Sequence, residues 1–66
     1  MNYLAMKEIL RWLADGQTRG WTERPRGVGR TWLGRAQEEG LIEEGPGQTY
    51  RITAAGQLTL GEIENH

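Results

Sequence analysis

The chain has 66 residues, which is one small domain spanning 1–66 and burying only roughly 60% of its unfolded surface. It contains no cysteine and no serine, and its only histidine is His66. A disulfide staple, a thiolate metal site and a serine or cysteine nucleophile with a histidine base are therefore excluded.

The opening segment reads as a helix. Tyr3, Met6, Leu10 and Leu13 recur at helical spacing, Leu4, Ile9 and Trp12 widen the stripe, Asn2 suits the N-cap, and Asp15-Gly16 supplies a stop. A stripe this broad fits a core helix packed on two sides, or a helix that shares part of its face with a second copy. The segment lacks the basic run, apolar run and cleavage site of a secretory signal, and no apolar stretch spans a bilayer. The expectation is a cytoplasmic protein with no membrane partner.

Residues 17–29 are irregular. Trp21 is the expected anchor, since burying an aromatic ring of this size contributes roughly 1.5–3 kcal/mol. Thr22 suits the cap of a single helical turn with Pro25 inside it, and Gly27 and Gly29 break that turn. This segment also opens the basic part of the chain. The net charge is −1, but its distribution is uneven. Charges cancel from Met1 to Thr18. Five arginines (19, 24, 26, 30, 35) face Glu23 alone from Arg19 to Arg35, giving +4; from Ala36 onward six glutamates face Arg51, giving −5. Arginine is the residue suited to bidentate phosphate or guanine contacts, although a solvated polar face accounts for such a cluster equally simply.

A further helix is expected from about Arg30 to Glu39. Trp32, Leu33 and Ala36 share one face; Arg30, Thr31, Gly34, Arg35 and Glu38 share the other. Gly40 fits the left-handed position after the helix, with Leu41 folding back onto Ala36. Gly34 weakens the helix by about 1 kcal/mol relative to alanine, through simple tolerance or because a ligand backbone comes close. Two short runs, LIEE (41–44) and QTYRI (48–52), flank Gly45-Pro46-Gly47 as a hairpin, with Tyr50 and Ile52 on one face and Thr49 and Arg51 on the other. Glu38, Glu39, Glu43 and Glu44 fall on this exposed helix end and hairpin. Without a pocket to shift their pKa they are poor candidates for acid–base catalysis, and no enzyme activity is expected. Thr53 suits the cap of a last helix carrying Leu58, with Leu60 and Ile63 close to a fraying tail.

The run AQEEGLIEEGPGQTYRITAAGQLTL, from Ala36, resembles the joint between recognition helix and wing in MarR- and PadR-type transcriptional regulators. The matching positions are Glu38 to Glu43, then Tyr50, Ile52, Thr53 and Gly56. The resemblance implies a mainly α winged helix-turn-helix: a three-helix core, a two-stranded wing and a short C-terminal helix. This chain departs from the family in its Pro/Gly-interrupted second helix and in a shortened span between Gly27 and Gly40. The resemblance further implies a small regulator, suited to a compact genome such as a phage's, that binds double-stranded DNA. The exposed residues Arg30, Thr31, Gly34 and Arg35 would face base edges, Arg24 and Arg26 would grip phosphate, and Arg51 is the one wing residue suited to phosphate. No cofactor or metal is implied. A lone module has a footprint of roughly 600–1,000 Å², so a homodimer or protein partner would supply the rest of the affinity. The apolar excess of the first helix and a Leu58/Ile63 face are the candidate dimer surfaces. The alternative is a winged-helix adaptor or inhibitor that docks on protein and not on nucleic acid.

Overall fold

The computed structural model describes residues 4–65. Asn2, Tyr3 and His66 lie outside them. Three helices and a three-stranded antiparallel sheet form a mixed α/β unit: α1 (Leu4–Trp12), β1 (Arg19–Gly20), a 3₁₀ turn (Trp21–Glu23), α2 (Arg30–Glu38), β2 (Ile42–Gly45), β3 (Thr49–Ile52) and α3 (Ala54–Glu64).

Helix α1 is a core helix. Met6, Ile9, Leu10 and Leu13 are buried, and the helix packs against both α2 and α3. Most of its stripe is thus used within the chain, because two neighbouring helices need a wider apolar arc than one, while Leu4 stays 61% exposed. The helix ends at Trp12, and a turn carries the chain through Leu13 to the stop at Asp15-Gly16. Gly16 takes φ +82, and the Asp15 carboxylate accepts from Gln17 N–H at 3.1 Å and from the Arg19 guanidinium at 2.6 Å.

The Asp15 pKa is lowered from its ordinary 3.8, chiefly by the Gln17 N–H; desolvation opposes this, and the hydrogen bond and charge of Arg19 add to the lowering. A depressed carboxylate pKa stabilises the fold above the unfolded-state value of about 3.9, and the contribution disappears as pH falls through the folded value. A proton titration followed at the Asp15 carboxyl carbon by NMR is expected to show a midpoint below 3.8.

The sheet order is β1-β3-β2. The expected hairpin forms, but its loop is one residue further on than Gly45–Gly47: Gly45 ends β2 opposite Thr49, with Ile42 opposite Ile52. Pro46, Gly47 and Gln48 close the loop, the latter two at φ +72 and +56. Tyr50 and Ile52 are buried and Arg51 is exposed, as the alternation requires.

Three features correct the sequence reading. The sheet is not the expected two-stranded hairpin: Arg19 and Gly20 add a third strand, pairing with Tyr50 and Thr49. The second helix is reduced to the 3₁₀ turn. Trp21 N–H is taken by Gln48 O at 3.0 Å, so the turn starts at Trp21 and Gly20 occupies the cap position, its N–H donating to the Glu23 carboxylate at 3.4 Å. Thr22 is therefore inside the turn and Pro25 lies beyond it. Nor is the last helix a short, frayed one. α3 is the longest of the three at 11 residues, because Leu60 is buried, Ile63 packs on the core, and Glu64 pairs with Arg11 at 3.4 Å.

The joint between α2 and α3 carries the tightest local geometry. Gly40 at φ +75 donates to Gln37 O (2.9 Å), and Leu41 N–H donates to Ala36 O (2.9 Å), closing the two carbonyls at the end of α2 in a Schellman arrangement. The Thr53 hydroxyl then serves both helices. It donates to Gly40 O at 2.6 Å and accepts from Gly56 N–H at 3.1 Å, capping α3 while tying it to the end of α2. Among the described residues no helix is long and apolar enough to cross a membrane.

Candidate nucleic-acid interface

The five arginines of the basic segment separate into distinct groups in space. Arg19 is committed to the fold: it pairs with Asp15, and its Nε–H donates to Trp12 O at 3.1 Å. Arg24 is exposed but anchored. Its Nε–H donates to Val28 O at 3.0 Å and its Nη1–H to Trp21 O at 3.2 Å, while its guanidinium carbon lies 3.8 Å from the centroid of the Trp21 ring. Arg30, the first residue of α2, brings its guanidinium carbon to 4.3 Å from the same ring. Arg26 is exposed and, among the described residues, makes no hydrogen bond or ion pair; nor does Arg30.

The loop geometry explains this convergence. Val28 is buried and its N–H closes a turn onto Pro25 O at 3.2 Å, with Gly27 at φ +87 in the position where a left-handed residue is needed. Arg26 sits on the outside of that turn. Residues 24–29 surround an open depression of about 520 Å³. Beyond it α2 begins at Gly29, where no side chain caps the helix. The first-turn N–H groups are consequently left to solvent or to a ligand, and the partial positive charge of the helix end adds to the three guanidinium groups. Arg24, Arg26 and Arg30 therefore share one surface with the start of α2.

The exposed face of α2 is as its spacing suggests. Leu33 and Ala36 are buried and Trp32 packs on the core, whereas Arg30, Thr31, Arg35 and Glu38 are exposed. Arg35 forms an i,i+4 ion pair with Glu39 at 3.2 Å, both partners about half exposed, and lies 5.7 Å from the Trp32 ring. Pairs this exposed contribute about 0.2–1 kcal/mol, so Arg35 can exchange its partner for a ligand at small cost. Gly34 is half-buried, and a Cβ built there meets nothing within 4 Å. Nothing inside the protein requires a glycine at this position. Gly34→Ala is expected to raise stability by about 1 kcal/mol, read as a thermal midpoint roughly 4–8 °C higher.

Arg51 is drawn away from the basic surface. It stands opposite Glu43 across the hairpin and donates to that carboxylate through Nε–H at 3.0 Å and also through Nη2–H. The contact depends on the observed register: a Gly45–Gly47 turn would set Glu43 opposite Thr49, and only the shift of the loop to residues 46–48 brings Arg51 to it. Glu44 is exposed on the same strand. Leu58 is 72% exposed on α3 while Ile63 packs inward, so the two do not form one apolar face.

Trp21 is the residue whose role the sequence conceals. It anchors the irregular segment, as expected of a large aromatic, and its ring is also the platform on which two arginines meet. A signal existed in the spacing of Trp21 and Arg24, three residues apart, but Arg30 arrives only through the loop. No group of acidic or histidine side chains suited to a metal ion occurs among the described residues. No protein-family model matches the chain, and no curated protein or solved structure is significantly similar to it.

Proposed function

We propose that this chain is a small winged helix-turn-helix type regulator that binds double-stranded DNA through the start of α2 and the loop before it. The reading rests on Arg24 and Arg30 meeting over one ring, with Arg26 on the adjoining turn, beside a helix N-terminus with no side-chain cap. Phosphate contacts need positive charge held on one surface, and backbone N–H groups at a helix start add donors aimed at the same oxygens. Arg24 and Arg26 grip the backbone. Arg30, Thr31, Gly34 and Arg35 lie along the exposed face of α2 and meet base edges if its N-terminal half enters a major groove. The 3₁₀ turn stands where a full second helix would normally cross the backbone, which places more of the phosphate contact on the 24–29 loop. Arg51 contributes less than its position on the hairpin implies, because Glu43 neutralises it. A single module of this size calls for a second copy or a protein partner to reach useful affinity.

Salt titration of binding to a random-sequence duplex tests the reading. Each neutralised phosphate adds about 0.9 to the slope of log affinity against log salt, so the contacts of Arg24 and Arg26 give a slope of about −1.8. Absence of binding to duplex at low salt sinks it. The second reading, a protein-interaction module, is favoured by the hairpin, where Glu43 and Glu44 are exposed and the one arginine is paired. In that case the acidic strand would be the docking edge, and duplex DNA would show no salt-dependent association.

A further inference from the structure

Two guanidinium carbons lie 3.8 and 4.3 Å from the centroid of one indole ring, within stacking distance of its π surface. We infer that Trp21 is a positioning residue for duplex recognition: it holds Arg24 and Arg30 as a preset pair of cations, and it does not act as a stacking platform for bases. The inference rests on the duplex-binding reading.

The side chains of Arg24 and Arg30 come from different elements, a loop and the first residue of α2, and carry like charge. Two exposed arginines left to themselves repel and sample many rotamers, and each then loses that freedom on binding. The indole offsets the repulsion by attraction to both charges. Arg24 is further fixed by the carbonyls of Trp21 and Val28. Trp21 is itself held, with its N–H on Gln48 O and its ring half-buried against the core. The chain of support therefore runs from the hairpin loop through Trp21 to the two guanidinium groups. Arginine suits this position and lysine does not, since only a planar guanidinium can lie on the ring and keep its edge N–H groups for phosphate (Arg24) or a base edge (Arg30). A ring already covered by the chain's own cations has little π surface to offer an unstacked base, which single-strand binders require. The ligand class that fits is duplex backbone.

The test compares wild type with Trp21→Phe, Trp21→Leu and Arg30→Lys by fluorescence anisotropy across a salt series. The probes are a labelled 20-base-pair random duplex and a labelled 15-residue oligothymidine strand. Wild type is expected to prefer the duplex. Trp21→Leu keeps apolar bulk but loses the ring, and is expected to weaken duplex binding about tenfold and to flatten the salt slope by about one unit. Trp21→Phe is expected to restore most of the affinity, because a phenyl ring keeps a π face for the two guanidinium groups. Arg30→Lys keeps the charge on an exposed side chain clear of the core, so the fold is undisturbed even if Trp21→Leu fails to fold. It is expected to weaken binding severalfold in wild type and to have no further effect in Trp21→Leu. Wild-type affinity and slope in Trp21→Leu or Arg30→Lys overturn the assignment of Trp21 while leaving duplex binding intact. Tighter binding of the single strand, lost in Trp21→Leu, overturns it in favour of base stacking. Wild type that binds neither probe at low salt overturns the duplex reading itself, and the positioning role with it.

Discussion

Replacing Gly56 by alanine is expected to destabilise the protein by at least about 2 kcal/mol, the opposite of what helix propensity predicts. Alanine in a helix interior is favoured over glycine by about 1 kcal/mol. At this position, however, a Cβ falls 2.1 Å from Leu41 O, 2.6 Å from Ile52 Cγ1 and 3.1 Å from the Leu41 carbonyl carbon. Two of these three atoms are backbone and cannot rotate aside. Relief requires α3 to retreat from the end of α2, and the retreat strains the bonds that define the joint: Thr53 N–H to Leu41 O at 3.0 Å and Thr53 Oγ1 to Gly40 O at 2.6 Å. Overpacking of this kind costs about 1–3 kcal/mol or more before the capping bonds are counted. A domain of this length has only about 3–10 kcal/mol of total stability, so Gly56→Ala removes a large share of it. Gly61→Ala on the same helix is the control. A Cβ there meets nothing within 4 Å, and a gain of up to about 1 kcal/mol is expected. Chemical denaturation of the two variants checks the opposite signs; equal effects would show that the joint relaxes freely.

The second large effect is on binding. Arg26→Ala and Arg30→Ala together are expected to lower the thermal midpoint by only a few degrees, because Arg26 has no hydrogen bond or ion pair among the described residues and Arg30 loses only its exposed contact with the Trp21 ring, about 0.5–1 kcal/mol. Duplex affinity at 0.1 M salt is expected to fall on the order of tenfold for each arginine, and the salt slope from about −1.8 to about −0.9 as the Arg26 phosphate contact is lost. The two variants should also differ in kind. Arg26, on the loop, is expected to lower affinity uniformly across sequences, whereas Arg30, on α2, is expected to relax discrimination among them. Selection of bound fragments from a random duplex pool separates these behaviours. A fall in affinity matched by an equal fall in stability would mean that the arginines act through the fold. The Gly34 face adds a cross-check. Gly34→Ala is sterically free within the protein, so a loss of duplex affinity alongside the expected gain in stability would mark close approach of a ligand at that point.

Much of the fold is legible because its signals are local. The Gly40 stop with Leu41 folded back onto Ala36, the hairpin turn through Pro46-Gly47, the Thr53 cap and the two faces of α2 each depend on residues within about five positions of one another. Backbone conformation and i,i+4 spacing decide such features without reference to the rest of the chain. The two-residue strand β1 had no such signal. Arg19 and Gly20 are extended because Tyr50 and Thr49 pair with them from thirty residues away, and a strand that short has no alternation to read. The 3₁₀ turn is displaced for a related reason, since a carbonyl of the hairpin loop takes the Trp21 N–H.

The basic segment divides along the same line. Its charge imbalance, and its composition of arginine alone among the basic residues, belong to the sequence. Which arginines remain available was decided by tertiary structure, because a guanidinium charge is free or spent according to what lies within a few ångströms of it. Asp15 takes Arg19, Glu43 takes Arg51, and Trp21 gathers Arg24 and Arg30 beside the unpaired Arg26. The requirement for glycine at position 56 has the same origin. The sequence shows a glycine in a helix, and only the packing of α3 onto the end of α2 shows that no larger residue fits there.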